Sequence, residues 1–361
     1  MKKILFTATV DSHILQFHIP YLQWFKEQGY EVHVATNGDE KIPYCDVKHK
    51  IPFERSPIKI NNIKAIFKLK KIIENEKFDI IHCHTPMGSV VTRLAAKNAR
   101  KKYGTKVIYT AHGFHFFKGA SLLNWIIFYP IEKYLSNFTD CLITINDEDY
   151  NLAKRKFKAK RIEFVNGVGV DQSKFDFKMS DTEKHELRQS LGLKDDDFVL
   201  IQIGELNKNK NQIMTIKTIK KLVKENKKIK LLLVGKGNLK DFYKEKIKEY
   251  DLENNIHLLD FRKDIPQLLK ISDCLISTSK REGLPVNLIE AIMSGLPIIA
   301  TNCRGNRDIA KKVVEIDNIN ELYENINECI KNKDLFMCEN PEKYKLESII
   351  KKMGVIYNNE K

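Results

Sequence analysis

At 361 residues, with 42% apolar and 30% charged residues and no low-complexity tract, the chain has room for two domains that each bury a core. Its net charge is +15, but only ten of its 62 basic residues are arginines. No arginine-rich stripe or aromatic RNA-binding motif accompanies the charge, which argues against nucleic acid as a partner.

The chain opens on "MKKILFTATVD", two lysines and a short apolar run that mimic a secretion signal. Asp11 interrupts the run, so a first β-strand is expected instead. Strand-like runs then recur as "EVHVAT", "DIIHCH", "KVIYTAH", "CLITIN" and "IEFVNG", separated by amphipathic stretches. "IHCHT" (81–85) has the look of a metal site, but it follows the apolar "FDII" and is read as a strand end. The longest apolar stretch, "LLNWIIFYPI" (122–131), is well short of the roughly 18 residues a membrane span needs. A cytoplasmic, non-integral protein is therefore expected. The segment "HGFHFFKGASLLNWIIFYPIEKYL" reads as one helix of the first half. Phe116, Phe117, Trp125 and Phe128, flanked by Lys118 and Lys133, are its candidates for dipping into a membrane interface.

After the polar segment that ends in "LKDDD" the pattern restarts with "FVLIQIG", "IKLLLVG", "IHLLD", "CLISTS" and "PIIAT". These β-branched, nearly continuous runs suit parallel strands covered on both faces, and their alternation with helices implies α/β architecture. Two doubly wound, Rossmann-like domains facing a central cleft are expected. The boundaries are placed at residues 1–175 and 176–342, with a C-terminal helix over 343–361 that returns to the first domain. Residues 1–175 hold 28 Lys+Arg against 17 Asp+Glu, and residues 176–361 hold 34 against 30. The more basic first half suits an anionic membrane surface or an anionic acceptor. The seven cysteines lie far apart, several inside strand-like runs, as reduced core residues do.

Ligands in such sheets bind beyond the carboxyl ends of the strands, so motifs directly after strands carry the chemistry. Gly204 turns the chain after "VLIQI", and Lys210 follows near the start of the next helix, where free amides and the helix dipole add to its charge. Gly235 and Gly237 form a tight turn of the kind found at many strand ends. In "REGLPVNLIEAIMSGLPIIATNCRG" (281–305), Glu282 lies in a loop, and a helix is expected from Pro285 to Ser294, stopped by Gly295. Glu290 projects from that helix on a different side from the stripe Ile289, Ile292 and Met293. Outward-facing amides between two carboxylates suit a diphosphate flanked by hydroxyls; two surface glutamates are the plain alternative. "DED" (147–149) and "DDD" (195–197) match a D-x-D metal pattern, but one opens a helix and the other lies in a polar run.

The E-x7-E spacing of "EGLPVNLIE" resembles the retaining family-4 glycosyltransferases of the GT-B fold. So do "HILQFHIPYLQWF", "HCHTPMGSVVTRLAA", "YTAHGFHFF" and "GELNKNKNQ", as found in bacterial enzymes of capsule, exopolysaccharide and glycan-repeat assembly. The resemblance implies that Glu290 holds the ribose and Glu282 the donor sugar. The amides of Gly283, Leu284 and Val286 would meet the sugar and diphosphate, and Lys210 would neutralise the leaving group. It also brings His112, in "TAHG", toward the donor and sets Phe261 and Arg262 near the base. Where many relatives have arginine this chain has Glu205, and Arg304 or Arg262 is the candidate replacement. The loop 9–18 lacks the glycines often found there, so Ser12, His13 and His18 would shape the acceptor pocket. The implied function is a peripheral, cytoplasmic transferase at the inner face of the membrane, needing no metal or other cofactor. It would take a UDP-sugar, a UDP-N-acetylhexosamine among the candidates, and a lipid-diphosphate-linked sugar acceptor. A GT-B-fold sugar-nucleotide epimerase and a non-catalytic two-lobed sugar-binding protein remain as alternatives.

Overall fold

The computed structural model describes residues 1–338 and 340–358. They fall into two compact units: residues 1–168 together with the chain from Ile349 onward, and Gly169–Ser348. The units part at Val168, seven residues before the expected boundary, and the C-terminal segment rejoins the first unit from Ile349.

The first unit is built on seven strands: β1 (Lys3–Thr7), β2 (Glu31–Thr36), β3 (Val47–Lys50), β4 (Ile80–Cys83), β5 (Lys106–Ala111), β6 (Cys141–Thr144) and β7 (Arg161–Phe164). They pair in the order β3-β2-β1-β4-β5-β6-β7, and all pairings are parallel. The apolar continuity of β1, β2, β4 and β5 follows from helices on both faces, which leave them almost entirely buried. The edge strand β3, "VKHK", has no such continuity, and its sequence gives little strand signal. The C-terminal helix Leu346–Asn358 sends Ile349, Met353, Ile356 and Tyr357 into the core around Ile4, Phe6 and Phe25.

The aromatic segment is not one helix. Residues 112–121 are irregular, and the helix Leu122–Leu135 starts at Ser121, whose Oγ accepts from the Asn124 amide. Phe116 is fully buried against Phe114, with their rings stacked 4.9 Å apart, and Trp125 and Phe128 pack partly against the same core. The aromatics singled out in the sequence therefore serve packing. The aliphatic residues of that helix face outward: Leu122, Leu123 and Ile126 are each more than half exposed.

The second unit has six strands: β8 (Phe198–Ile203), β9 (Ile229–Val234), β10 (Ile256–Leu258), β11 (Cys274–Ser277), β12 (Ile298–Thr301) and β13 (Val313–Val314). Their order is β10-β9-β8-β11-β12-β13, again parallel. In both sheets the order reverses beside the first strand, between β1 and β4 and between β8 and β11, where doubly wound folds bind ligands. Lys210, Glu282 and His112 follow the carboxyl ends of β8, β11 and β5, Glu290 lies in the helix after β11, and His18 ends the first helix after β1. No helix among the described residues is long and apolar enough to cross a membrane.

One buried ion pair braces the first unit. Arg93 Nη2 donates to Glu132 Oε2 at 2.8 Å, Arg93 Nε donates to the Ser89 carbonyl at 3.1 Å, and the guanidinium lies 4.2 Å from the Tyr109 ring centroid. Removing one partner leaves a buried charge uncompensated, which costs more than the intact pair contributes. Glu132→Ala is expected to lower unfolding free energy by about 3–5 kcal/mol, and Arg93→Met with Glu132→Leu to recover much of it, as read by denaturant titration.

Candidate active site

In the second unit the turn after β8 is fixed before any ligand arrives. Gln202 Nε2 and Thr278 Oγ1 both donate to the Lys210 carbonyl, each at 3.1 Å, and Thr278 Oγ1 lies 3.0 Å from that of Asn211. The Lys210 amide donates to Asn207 Oδ1 at 2.9 Å. The loop is also joined to the one after β11: the Lys280 amide donates to the Asn209 carbonyl, and Asn209 Nδ2 donates to the Arg281 carbonyl. Lys210 Nζ and Glu282 Oε1 then meet at 2.7 Å. The Lys210 stem lies against Gly204, where an added Cβ would approach its Cε to 3.2 Å.

The glycine turn after β9 is a packing requirement. A Cβ on Gly235 would lie 2.0 Å from the Gly204 carbonyl oxygen, and one on Gly237 would lie 2.2 Å from that of Leu206. These glycines let the turns after β8 and β9 touch. The Gly235 amide donates to the Asp260 carbonyl at 2.7 Å, which sets the 260–264 loop beside them. Phe261 is exposed in that loop, and Arg262 Nε donates to Asp264 Oδ1 at 2.8 Å.

The helix after β11 runs Val286–Met293, one residue shorter at each end than expected, with Pro285 as its N-cap. Pro285 has no side chain to cap it, and among the described residues the amides of Gly283, Leu284 and Val286 donate to no acceptor. Uncapped amides at a helix start are the arrangement that suits an anion. Arg304 is buried behind it, its Nε donating to the Glu282 carbonyl at 3.1 Å. Of the two candidate replacements for the missing arginine, Arg304 thus braces the loop, and Arg262 is held by Asp264. Ile289, Ile292 and Met293 are buried as expected. Burial pushes the Glu290 carboxyl up to about 7, with Lys174 opposing the shift.

The first unit gathers histidines at the carboxyl ends of β1, β4 and β5. His112 Nε2 lies 3.3 Å from His84 Nδ1, and the His13 and His112 rings are 4.9 Å apart. His18 is buried and stacks on His84 at 3.8 Å. Burial holds His112, His18 and His84 well below the ordinary imidazole range and brings His13 to about 4. Of the residues expected to shape an acceptor pocket, Ser12 and His13 line a cavity of about 600 Å³ walled by Phe17, Met87, Val90 and Phe128. His18 instead lines a smaller space with His82 and Tyr357. Arg55 also lines the large cavity, and no motif in the sequence pointed to it. The D-x-D patterns dissolve: Asp149 accepts from the Phe114 amide and Asn146 Nδ2, Asp196 pairs with Lys228, and Asp197 accepts from the Lys194 amide.

Comparison with known proteins gives the family and the fold. The family model "Glycosyl transferase 4-like" matches residues 3–146, and "Glycosyl transferases group 1" matches residues 183–348. The putative glycosyltransferase EpsD of Bacillus subtilis is 44% identical over 311 residues, covering 86% of this chain and 81% of its own. UDP-Gal:alpha-D-GlcNAc-diphosphoundecaprenol alpha-1,3-galactosyltransferase of Escherichia coli is 29% identical over 273 residues, 73% of this chain and 69% of its own. Among solved structures, Anabaena HepE in complex with UDP and glucose has a TM-score of 0.77 at 20% identity and covers 99% of both chains. The two parallel-sheet units are those of the GT-B fold. The chain belongs to the group 1, family-4-like glycosyltransferases, with relatives in bacterial capsule and exopolysaccharide synthesis.

The raised Glu290 pKa has a direct consequence. Below the unfolded carboxyl range both states bind the proton and its contribution to stability is complete. As pH rises through about 7 the folded state must ionise a buried group, and that stability is lost. Relative to Glu290→Gln, the wild-type protein is expected to lose stability between the ordinary carboxyl range and about 7, as thermal melts across that window would show.

Proposed function

We propose that the protein is a retaining, metal-independent transferase that moves a sugar from a UDP-sugar to a lipid-diphosphate-linked glycan acceptor in surface-polysaccharide assembly. The observation that carries this reading is the meeting of Lys210, Glu282 and the uncapped amides of Gly283, Leu284 and Val286 at one helix start. Such a group takes a diphosphate and one sugar at once. The Escherichia coli relative is named for a UDP-sugar donor and a diphosphoundecaprenol acceptor, which supports both substrate classes.

In this mechanism the bond from the anomeric carbon to the diphosphate oxygen breaks as the acceptor oxygen attacks from the same face. The leaving diphosphate gains charge beside Lys210 and the helix amides, which are already oriented and need no reorganisation. The acceptor proton passes to a departing phosphate oxygen. Glu282 offers one carboxylate oxygen to Lys210 and the other to a donor hydroxyl, and Glu290 takes the ribose hydroxyls. Ser12 and His13 contact the acceptor in the apolar cavity, with Arg55 toward its diphosphate.

A peripheral seat on the inner face of the membrane fits the first unit's surface. Leu122, Leu123, Ile126 and Tyr134 are exposed on one helix, and Ile58, Ile60, Ile63 and Phe67 are exposed at and just before the helix Asn61–Glu76. The segments bearing these two groups also supply Arg55, Pro57, Phe128 and Ile131 to the cavity wall, and lysines lie among them. An amphiphilic acceptor would pass from the bilayer into the cavity without crossing water.

A panel of UDP-, GDP- and ADP-sugars, with EDTA and with or without a polyprenyl-diphosphate sugar, tests the reading. Acceptor-dependent release of UDP that survives EDTA is expected; isomerisation without acceptor would instead make the protein an epimerase. Lys210→Ala should lower turnover by about 10²–10³-fold with a smaller loss in donor affinity. Glu290→Ala should weaken UDP binding about tenfold, measured by calorimetry. The pair Leu123→Glu and Ile126→Glu should release the protein from phosphatidylglycerol vesicles while leaving hydrolysis of the soluble donor unchanged.

A further inference from the structure

The first unit places five histidines, from three separate chain segments, in one space. His82 has an ordinary structural explanation: Nδ1 lies 2.7 Å from the Tyr357 hydroxyl and Nε2 2.8 Å from Thr110 Oγ1, so both nitrogens are satisfied. The other four differ. His13, His18 and His84 each bury an Nε2 that has no hydrogen-bond partner among the described residues. His18 is 3% exposed and His84 1%, so these are not nitrogens facing solvent. An unsatisfied buried polar atom is costly, and three in one space call for an occupant.

We propose that His13, His18, His84 and His112 form a binding site for a single transition-metal ion, with Zn²⁺ as the fitting species. Each of the four offers one ring nitrogen within 4.8 Å of the other three. His84 Nδ1, the ring nitrogen other than its unpartnered Nε2, already lies 3.3 Å from His112 Nε2. That is about the ligand–ligand edge of a tetrahedron with metal–nitrogen bonds of roughly 2.0–2.1 Å. Imidazole is a ligand suited to Zn²⁺, Cu²⁺ and Ni²⁺, and only the neutral ring can bind. His13 lies on the wall of the large cavity, which gives an ion a way in. The other group of this type, Glu31, His33 and Glu76, is already satisfied: His33 Nε2 meets Glu31 Oε1 at 2.6 Å and Lys3 Nζ meets Glu76 at 2.7 Å.

The ion would tie the segment bearing His13 and His18 to the ends of β4 and β5. It is not required for sugar transfer. On the reading of His13 given above, a bound ion withdraws that imidazole from the acceptor, so the site acts as a metal-sensitive brake.

Metal content of the full chain tests this without reference to activity. Protein stripped with chelator and then incubated with Zn²⁺ is expected to retain one Zn²⁺ per chain after gel filtration, and Co²⁺ to give the intense visible bands of tetrahedral coordination. His13→Ala, a half-buried position on a helix surface, and His84→Asn should each weaken Co²⁺ binding at least tenfold while keeping the far-UV spectrum of the wild type. If His84→Asn does not fold, His13→Ala alone decides. No uptake by the wild type, or uptake unchanged in a folded variant, overturns the site and leaves ordered water as the occupant. Zn²⁺ should also slow transfer, with chelator restoring it. Uptake without inhibition would keep the metal site and overturn the role of His13 in acceptor binding.

Discussion

The donor side of this protein depends on two main chains being stitched together. Thr278, at the end of β11, is buried and reaches the carbonyls of both Lys210 and Asn211, while Gln202 holds the first of these from β8. The Lys280 amide on the Asn209 carbonyl, and the Asn209 side-chain amide on the Arg281 carbonyl, complete the join. Without it the long Lys210 side chain would sample many rotamers, and binding an anion would have to freeze them. The Lys210–Glu282 contact is therefore the product of a scaffold assembled beneath it.

That contact also settles an electrostatic problem. A lysine aimed at a phosphate site needs a partner when the site holds no anion, and Glu282 provides one across the same seam. On the proposed reading an incoming diphosphate competes for the ammonium, while Glu282 keeps a second oxygen to offer a hydroxyl. Glu290 is held differently. It has no partner as close as 2.7 Å, and burial keeps its carboxyl close to the midpoint of titration near neutral pH. One carboxylate meets a cation at 2.7 Å, and the other is raised by burial.

Much of this was legible in the sequence because it follows from local pattern. Buried parallel strands impose unbroken β-branched runs, and β1, β8, β9 and β11 announced themselves that way. The helix at 286–293 was placed within a residue because Pro285 and Gly295 bracket it. What pattern could not show was polar or assembled in three dimensions. The strand β3 is half-exposed and lysine-bearing, and β13 has only two residues. The aromatic segment misled because its bulkiest rings are its buried ones, while plain leucines and isoleucines take the surface. The Arg93–Glu132 pair joins residues 39 apart, and neither end bears a local mark of its partner.

The histidines show the same divide most clearly. "IHCHT" was correctly read as a strand end, since β4 closes at Cys83. Yet a strand end in a doubly wound sheet is also where the ends of neighbouring strands and the helix after β1 converge. His84 meets His112 because β4 pairs with β5 in register, His82 opposite Ile108 and Cys83 opposite Tyr109. His13 and His18 join them because the chain leaving β1 turns straight into a helix over the same edge. The spacing of the two histidines in "HCH" holds no chelate geometry, and none of the other three is near in sequence. The two units thus present opposite chemistries at equivalent places in the fold. The second holds fixed charge against a helix start, and the first holds uncharged nitrogen bases that burial keeps from protonating. An anionic donor suits the former. A neutral base cluster with unsatisfied nitrogens suits a ligand that accepts electron pairs, and a cation does that where a sugar hydroxyl, which must also give up its own proton to a partner, does so less completely.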